Sequence, residues 1–192
     1  VNQDKLLSAQ VVMDAHGHII EMCCGALDDA FARAVAAATT HYAHVVDQPY
    51  DVILAELRSP LDRNLYQAQK ALENTQQGVA DGGSAVVVSA CEEGIGSQFF
   101  FDLAAGWDRE KNVPGDGIAR FGSHKLSRVN ALTRRINVHL FSELPGDFAR
   151  QVFYRPVDDL QAFVDARLTP ETPRLAVVYD AGHTVLESRC VS

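Results

Sequence analysis

The sequence predicts an α/β fold: a three-layer αβα sandwich on a mostly parallel, Rossmann-like sheet, with a β-hairpin at its N-terminus. Two observations predict it. The runs DVILA (51–55), SAVVVSA (84–90) and LAVVYD (175–180) are short, β-branched and nearly unbroken in apolar character, as strands buried on both faces are. Segments with helical periodicity lie between these runs, and strands alternating with helices form parallel sheets through right-handed crossovers. With 192 residues, 47% of them hydrophobic, the chain can bury a substantial core and reads as a single α/β domain over 1–192.

The elements follow in order. Val11-Val12-Met13 and Ile19-Ile20-Glu21-Met22 flank Asp14-Ala15-His16-Gly17, and Gly17 supplies the positive φ of a tight turn, so this is the hairpin. His16 and His18 read as solvent-facing turn residues, because no carboxylate-histidine set surrounds them. A long helix is expected from Leu27 to Val46, with Asp28 and Asp29 in its first turn and Leu27, Phe31, Ala34, Ala38 and Val45 on its inner face. His41 and His44 on it lack an acidic partner one turn away and read as surface histidines.

After the strand at Asp51, Pro60 ends the extended run and a helix follows to Thr75. Leu65, Ala68, Leu72 and Val79 make its apolar stripe. Asn64, Gln67, Lys70 and Asn74 fall on another face, where Gln67 and Lys70, three apart, read either as an ordinary solvated helix face or as a neutral donor and a mobile cation able to meet one small anion. Asp81-Gly82-Gly83 reads as a turn before the strand 84–90. Cys91 to Ser97 then leads into a helix from Gln98 to Trp107, and Gly94 and Gly96 with Ser97 form an anion-binding candidate at that helix start.

Trp107 to Ala119 reads as a loop and candidate flap, and Ile118 to Arg135 as a helix. NVHLFSEL (137–144) is a further strand. Pro145–Val152 and Val157–Leu168 are short helices, the second introduced by a proline and two aspartates. LAVVYD is the last buried strand, followed by the Ala181-Gly182-His183-Thr184 turn. The loop after Ala55, the Gly94 turn and the Gly182 turn should gather beyond the carboxyl ends of the strands, where such sheets bind ligands.

Composition excludes several functions. A formal charge of -8, with no Lys/Arg-rich block, argues against nucleic acid as a partner, and the cations between Lys125 and Arg135 read as a solvated helix face. No apolar run approaches a membrane span and the first residues make no signal peptide, so a soluble cytoplasmic protein without membrane partners is expected. The four cysteines, Cys23, Cys24, Cys91 and Cys190, show no zinc spacing and no disulfide framework, and no metal ligand set is expected. A chain beginning at Val1 fits a trimmed domain.

The segment PLDRNLYQAQKA resembles the nickel-dependent lactate racemase family. That family's second domain carries P-x-D-x-N-x-Y-Q-x-x-K-A, matched by Pro60, Asp62, Asn64, Tyr66, Gln67, Lys70 and Ala71. A CxEGxGS-like turn follows, matched by Cys91, Glu93, Gly94, Gly96 and Ser97. Gly122-Ser123-His124-Lys125 looks like the family's G-x-H-K segment, which leaves His124 open between substrate contact and a capping or surface place. His183 departs from the Gly-Gly-Ser-Thr turn of relatives, so its role stays open.

The resemblance implies that Gln67 and Lys70, with Tyr66 and Asn64 beside them, help hold the carboxylate of a 2-hydroxy acid in a cleft between two domains. In the family a nickel pincer nucleotide takes a hydride from the 2-carbon while a histidine removes the hydroxyl proton, and return to either face of the keto acid racemises. The nickel ligands, the cofactor-bound lysine and the catalytic histidines belong to the first domain, whose motifs are not found in this chain. The expectation is therefore a carboxy-terminal, substrate-positioning domain of a 2-hydroxy acid racemase or epimerase. It should have no catalytic residue and no cofactor of its own, be inactive alone, and work with an N-terminal cofactor-binding domain. A non-catalytic binding or regulatory module of the same fold is the alternative; a nucleotide binder resting on Gly94-Ile95-Gly96 lacks the third glycine of a dinucleotide fingerprint.

Overall fold

The computed structural model describes residues 6–169 and 174–189, and within it the chain forms two compact units, 1–44 and 45–192. In the first, β1 (Leu7–Met13) and β2 (Ile19–Ala26) pair antiparallel around a turn where Gly17 has φ 83°. Asp14 closes that turn by accepting the amides of His16 and His18, which hold its carboxyl down at about 2; both histidines are exposed. Helix α1 (Leu27–Tyr42) lies against one face of the hairpin, over Val12 and Cys23, and buries only Ala30.

Two expectations for this helix are corrected. It stops at Tyr42, because the β-branched pair Val45-Val46 enters a short strand, β3 (Ala43–Val46). The residues expected on its inner face are not buried: Leu27, Phe31 and Val45 are exposed.

The second unit is built on a five-stranded, all-parallel sheet whose members are β4 (Tyr50–Glu56), β5 (Val79–Val88), β8 (Asn137–Phe141), β9 (Arg155–Pro156) and β10 (Leu175–Val178). Their spatial order is β10-β4-β5-β8-β9, so the four expected strands are neighbours. Helices α2 (Leu65–Thr75), α3 (Gln98–Ala105), α4 (Ser123–Leu132) and α5 (Gly146–Gln151) cover one face. There Ile53, Ala55, Val87 and Leu140 meet Leu65, Leu72, Phe100 and Leu126 in the main core.

Alternate residues of the same strands, Val52, Leu54 and Val86, point to the other face and pack on Leu160, Phe163 and Val164 of α6 (Leu160–Asp165). Two packed faces explain the apolar runs in the sequence. The chain steps from β4 across to β9 through helices on the first face and returns through α6 on the second, which gives the three layers. A short pair, β3 with β11 (Val185–Ser188), adjoins them.

Other expectations shift. Asp81-Gly82-Gly83 is not a separate turn: β5 begins at Val79, and the register slip against β4 with Gly82 at φ 79° marks a bulge inside it. LAVVYD is an edge strand with Val177 exposed. Residues 107–119 are tied down rather than loose: β6 (Trp107–Asp108) pairs with β7 (Val113–Pro114), Trp107 is buried, and Asn112 donates to the Ser127 carbonyl at 3.1 Å. Helix α4 begins at Ser123 after Gly122 at φ 88°, leaving Ile118 and Phe121 outside it and exposed.

Candidate functional site

Beyond the carboxyl edge of the sheet three loops meet, as expected. Asn64 sits in extended backbone and its side chain caps α2 by accepting the Gln67 amide at 3.1 Å. The preceding amides of the first turn are taken by the glycine turn: Leu65 N–H donates to the Gly94 carbonyl at 3.0 Å and Tyr66 N–H to Ile95 at 3.2 Å. In return, Cys91 N–H donates to the Asp62 carbonyl and Glu93 N–H to Arg63, at 2.8 and 2.7 Å, while Arg63 pairs with Glu93 at 2.5 Å. The segments 62–66 and 91–96 are thereby zipped into one ridge.

The glycines are required there. Gly94 and Gly96 have φ near 75°, and a Cβ on Gly96 would land inside the side-chain amide of Asn64. Ser97 caps α3 by accepting the Phe100 amide at 3.3 Å. Gly94 N–H donates to the Cys91 carbonyl at 2.8 Å. The side chain of Ser97 and the amide of Gly94 thus serve the ridge itself. Cys91, buried beside Ser89, has its thiol pushed up by burial.

The third loop docks on the first. Ala181 N–H donates to the Glu56 carbonyl at 2.7 Å, and Asn74 Nδ2 donates to the carbonyls of Ala181 and Gly182 at 2.9 and 3.1 Å. Leu61 fills the space a side chain at 182 would need. His183 Nδ1 lies 3.0 Å from Asp180 Oδ1.

The polar face of α2 therefore divides. Asn64 and Asn74 are spent on the scaffold, while the half-buried Gln67 amide and the exposed Lys70 ammonium have no side-chain partner among the described residues. Tyr66 stands edge-on to Phe100, ring centroids 5.3 Å apart, and its face carries the Lys125 ammonium 4.1 Å from the ring centre. Lys125 Nζ also donates to the Tyr66 carbonyl at 3.2 Å. His124 beside it is exposed.

Lys125 is the residue that reading the sequence placed on a solvated face and the fold places here. Burial lowers its pKa, and the neighbouring charges of Lys70 and Arg128 lower it further, partly offset by Glu73. Glu73 itself pairs with Arg128 at 3.4 Å. The available signal was the G-x-H-K segment, in which Lys125 is the last member.

A cleft of about 320 Å³ lies at the carboxyl ends of β4, β5 and β8, lined by Glu56, Ser89, Ser142 and Glu143 among others; Gln67 and Lys70 are not in its wall. Among the described residues no three His, Cys, Asp or Glu side chains are grouped so as to hold a metal ion. No helix of the described residues is long and apolar enough to cross a membrane.

A parallel sheet covered by helices on both faces defines a Rossmann-like α/β domain. Residues 45–121 match the family model of the lactate racemase C-terminal domain, and these residues hold both the Gln67–Lys70 segment and the glycine turn. In fold the chain is similar to the lactate racemase apoprotein from Thermoanaerobacterium thermosaccharolyticum, with 16% identity, a TM-score of 0.79, 94% of this chain covered and 46% of that one. It is also similar to a protein from Thermotoga maritima, with 12% identity, a TM-score of 0.68, 95% of this chain covered and 49% of that one. The chain thus spans about half the length of both. No curated protein matches the sequence.

Proposed function

We propose that this chain is the substrate-positioning half of a lactate racemase-like 2-hydroxy acid racemase or epimerase, acting with an N-terminal cofactor-binding domain. The observation that carries the reading is the pair Gln67 and Lys70, whose side chains have no side-chain partner among the described residues, one helical turn apart on a capped helix within the stretch that matches the family model. Lys70 supplies a charge-assisted bond to the carboxylate and Gln67 a neutral donor that sets its rotation. Lys125, held over Tyr66, adds positive potential that an incoming anion relieves.

Asn64 and the Gly94–Gly96 turn act through α2, fixing the helix start from which Gln67 projects. None of these groups accepts a hydride. A nickel pincer nucleotide on the N-terminal domain would supply that chemistry. The residues of this chain would hold the 2-hydroxy acid by its carboxylate and fix its orientation for that chemistry.

The test uses the two-domain protein. Lys70→Ala is expected to reduce racemisation of a 2-hydroxy acid on the order of a hundredfold, and Gln67→Ala more mildly, because a neutral hydrogen bond is weaker than a charged one. Full activity in Lys70→Ala would remove the positioning role. Binding of a 2-hydroxy acid with no turnover in a correctly loaded two-domain protein would instead favour the regulatory module.

A further inference from the structure

The hairpin of the first unit is apolar on the wrong side for an independent element. Directly paired residues share a face, and the pairs Leu7 with Ala26, Ala9 with Cys24, Val11 with Met22 and Met13 with Ile19 put only apolar side chains on the face opposite α1. All are exposed, Leu7 by 84% and Met22 by 58%. The face toward α1 carries Ser8, Gln10, Val12 and Cys23 instead. A two-stranded ribbon is marginal in water, and a contiguous apolar face of this kind marks a surface that another body covers.

The boundary says which body. The family model begins at residue 45, and the first compact unit ends at residue 44. The hairpin and α1 thus precede the stretch that matches the C-terminal domain model and form a compact unit of their own, although the similar solved chains, about twice as long, cover 94% and 95% of this chain. We propose that the outer face of the β1–β2 hairpin packs into the apolar core of the N-terminal domain, so that residues 7–26 complete that domain rather than the one that follows. The proposal rests on reading this chain as the second half of a two-domain protein.

Met13 and Met22 are the only methionines in the chain and both stand on this face. Peroxide converts exposed methionine to the sulfoxide, so mass spectrometry of these two residues reads the face directly. In chain 1–192 both should oxidise at the rate of a free methionine. In the two-domain protein both should slow on the order of tenfold or more. Val11→Asp should restore fast oxidation there while leaving the melting of chain 1–192 unchanged.

Equal oxidation in both proteins would overturn the proposal. So would protection in chain 1–192 that grows with its concentration, since a second copy would then be the occupant, and so would a gene with no preceding domain. The footprint needs neither substrate nor cofactor. Protected methionines with a fully active Lys70→Ala would sink the positioning role and leave this face assigned, and the reverse pair of results would do the opposite.

Discussion

His139 is a histidine that the fold keeps neutral. It lies on the α6 side of β8, 4% exposed, with its ring edge-on to Phe163 at 4.7 Å and its Nε2 without a partner among the described residues. Burial, with Arg167 and Arg155 nearby, lowers its pKa to about 4 from an ordinary 6.5. Above pH 6.5 neither folded nor unfolded chain binds this proton and the site costs nothing. As pH falls from 6.5 toward 4, the unfolded chain takes the proton and the folded chain does not. Stability should therefore drop over that window by up to about 3 kcal/mol and level off below it. His139→Leu should flatten that part of the curve in urea melts taken from pH 7 to 4; an unchanged slope would show that other groups set the acid lability.

Gln69 is the residue-scale surprise. It is fully buried and neither amide atom has a partner among the described residues. Position 69 falls between Leu65 and Leu72 on the apolar stripe, so the helical period marked the place as buried while the residue type spoke for solvent. An unmet amide costs about 1–3 kcal/mol. Gln69→Met, which keeps the volume and drops the polar atoms, should raise the melting temperature by a few degrees. A fall in calorimetric Tm would show that the amide is satisfied in solution.

At the scale of elements, the ridge that carries the site is held by backbone exchange between 62–66 and 91–96. Gly96→Ala should break the Asn64 cap as well as strain a left-handed residue, at a cost of about 1–3 kcal/mol. Gly106→Ala makes the control, since its Cβ would meet nothing nearer than 4.0 Å. Equal losses in denaturant unfolding would mean that Asn64 does not depend on close approach by the turn.

The strand, loop and helix around Asn64 were legible because Pro60 and the apolar stripe are local signals, but Asn64 itself was read on the polar face of the helix and stands instead as its cap. The reach of α1 was not, since helical spacing continues through Ala43–Val46 and only the ladder with β11 makes that segment a strand. The bulge in β5 hid for the same reason: Asp81-Gly82-Gly83 has turn chemistry, and pairing with β4 carries the strand through it.

For the whole molecule, the parallel sheet and the adjacency of its four main strands could be read from the sequence because burial on both faces leaves unbroken β-branched runs. Edge and centre could not, since LAVVYD is as apolar as SAVVVSA, and its edge place is set by the return crossover through α6. In the site, Gln67 and Lys70 stood out through the longer segment that resembles the lactate racemase family, since their type and spacing alone describe an ordinary solvated helix face equally well. Lys125 did not, because its approach to Tyr66 joins residues 59 apart in sequence.

The central claim is that Lys70, with Gln67, holds a carboxylate and contributes little to folding. Calorimetric titration of the two-domain protein with a 2-hydroxy acid, run for the parent and for Lys70→Ala beside their melting curves, tests it most directly. An exposed lysine adds little to stability, whereas losing a charged partner in a partly dry cleft costs about 2–5 kcal/mol of binding. The account predicts affinity lower by roughly a hundredfold or more at an unchanged Tm. Unchanged affinity, or a loss that comes only with a lowered Tm, would contradict it.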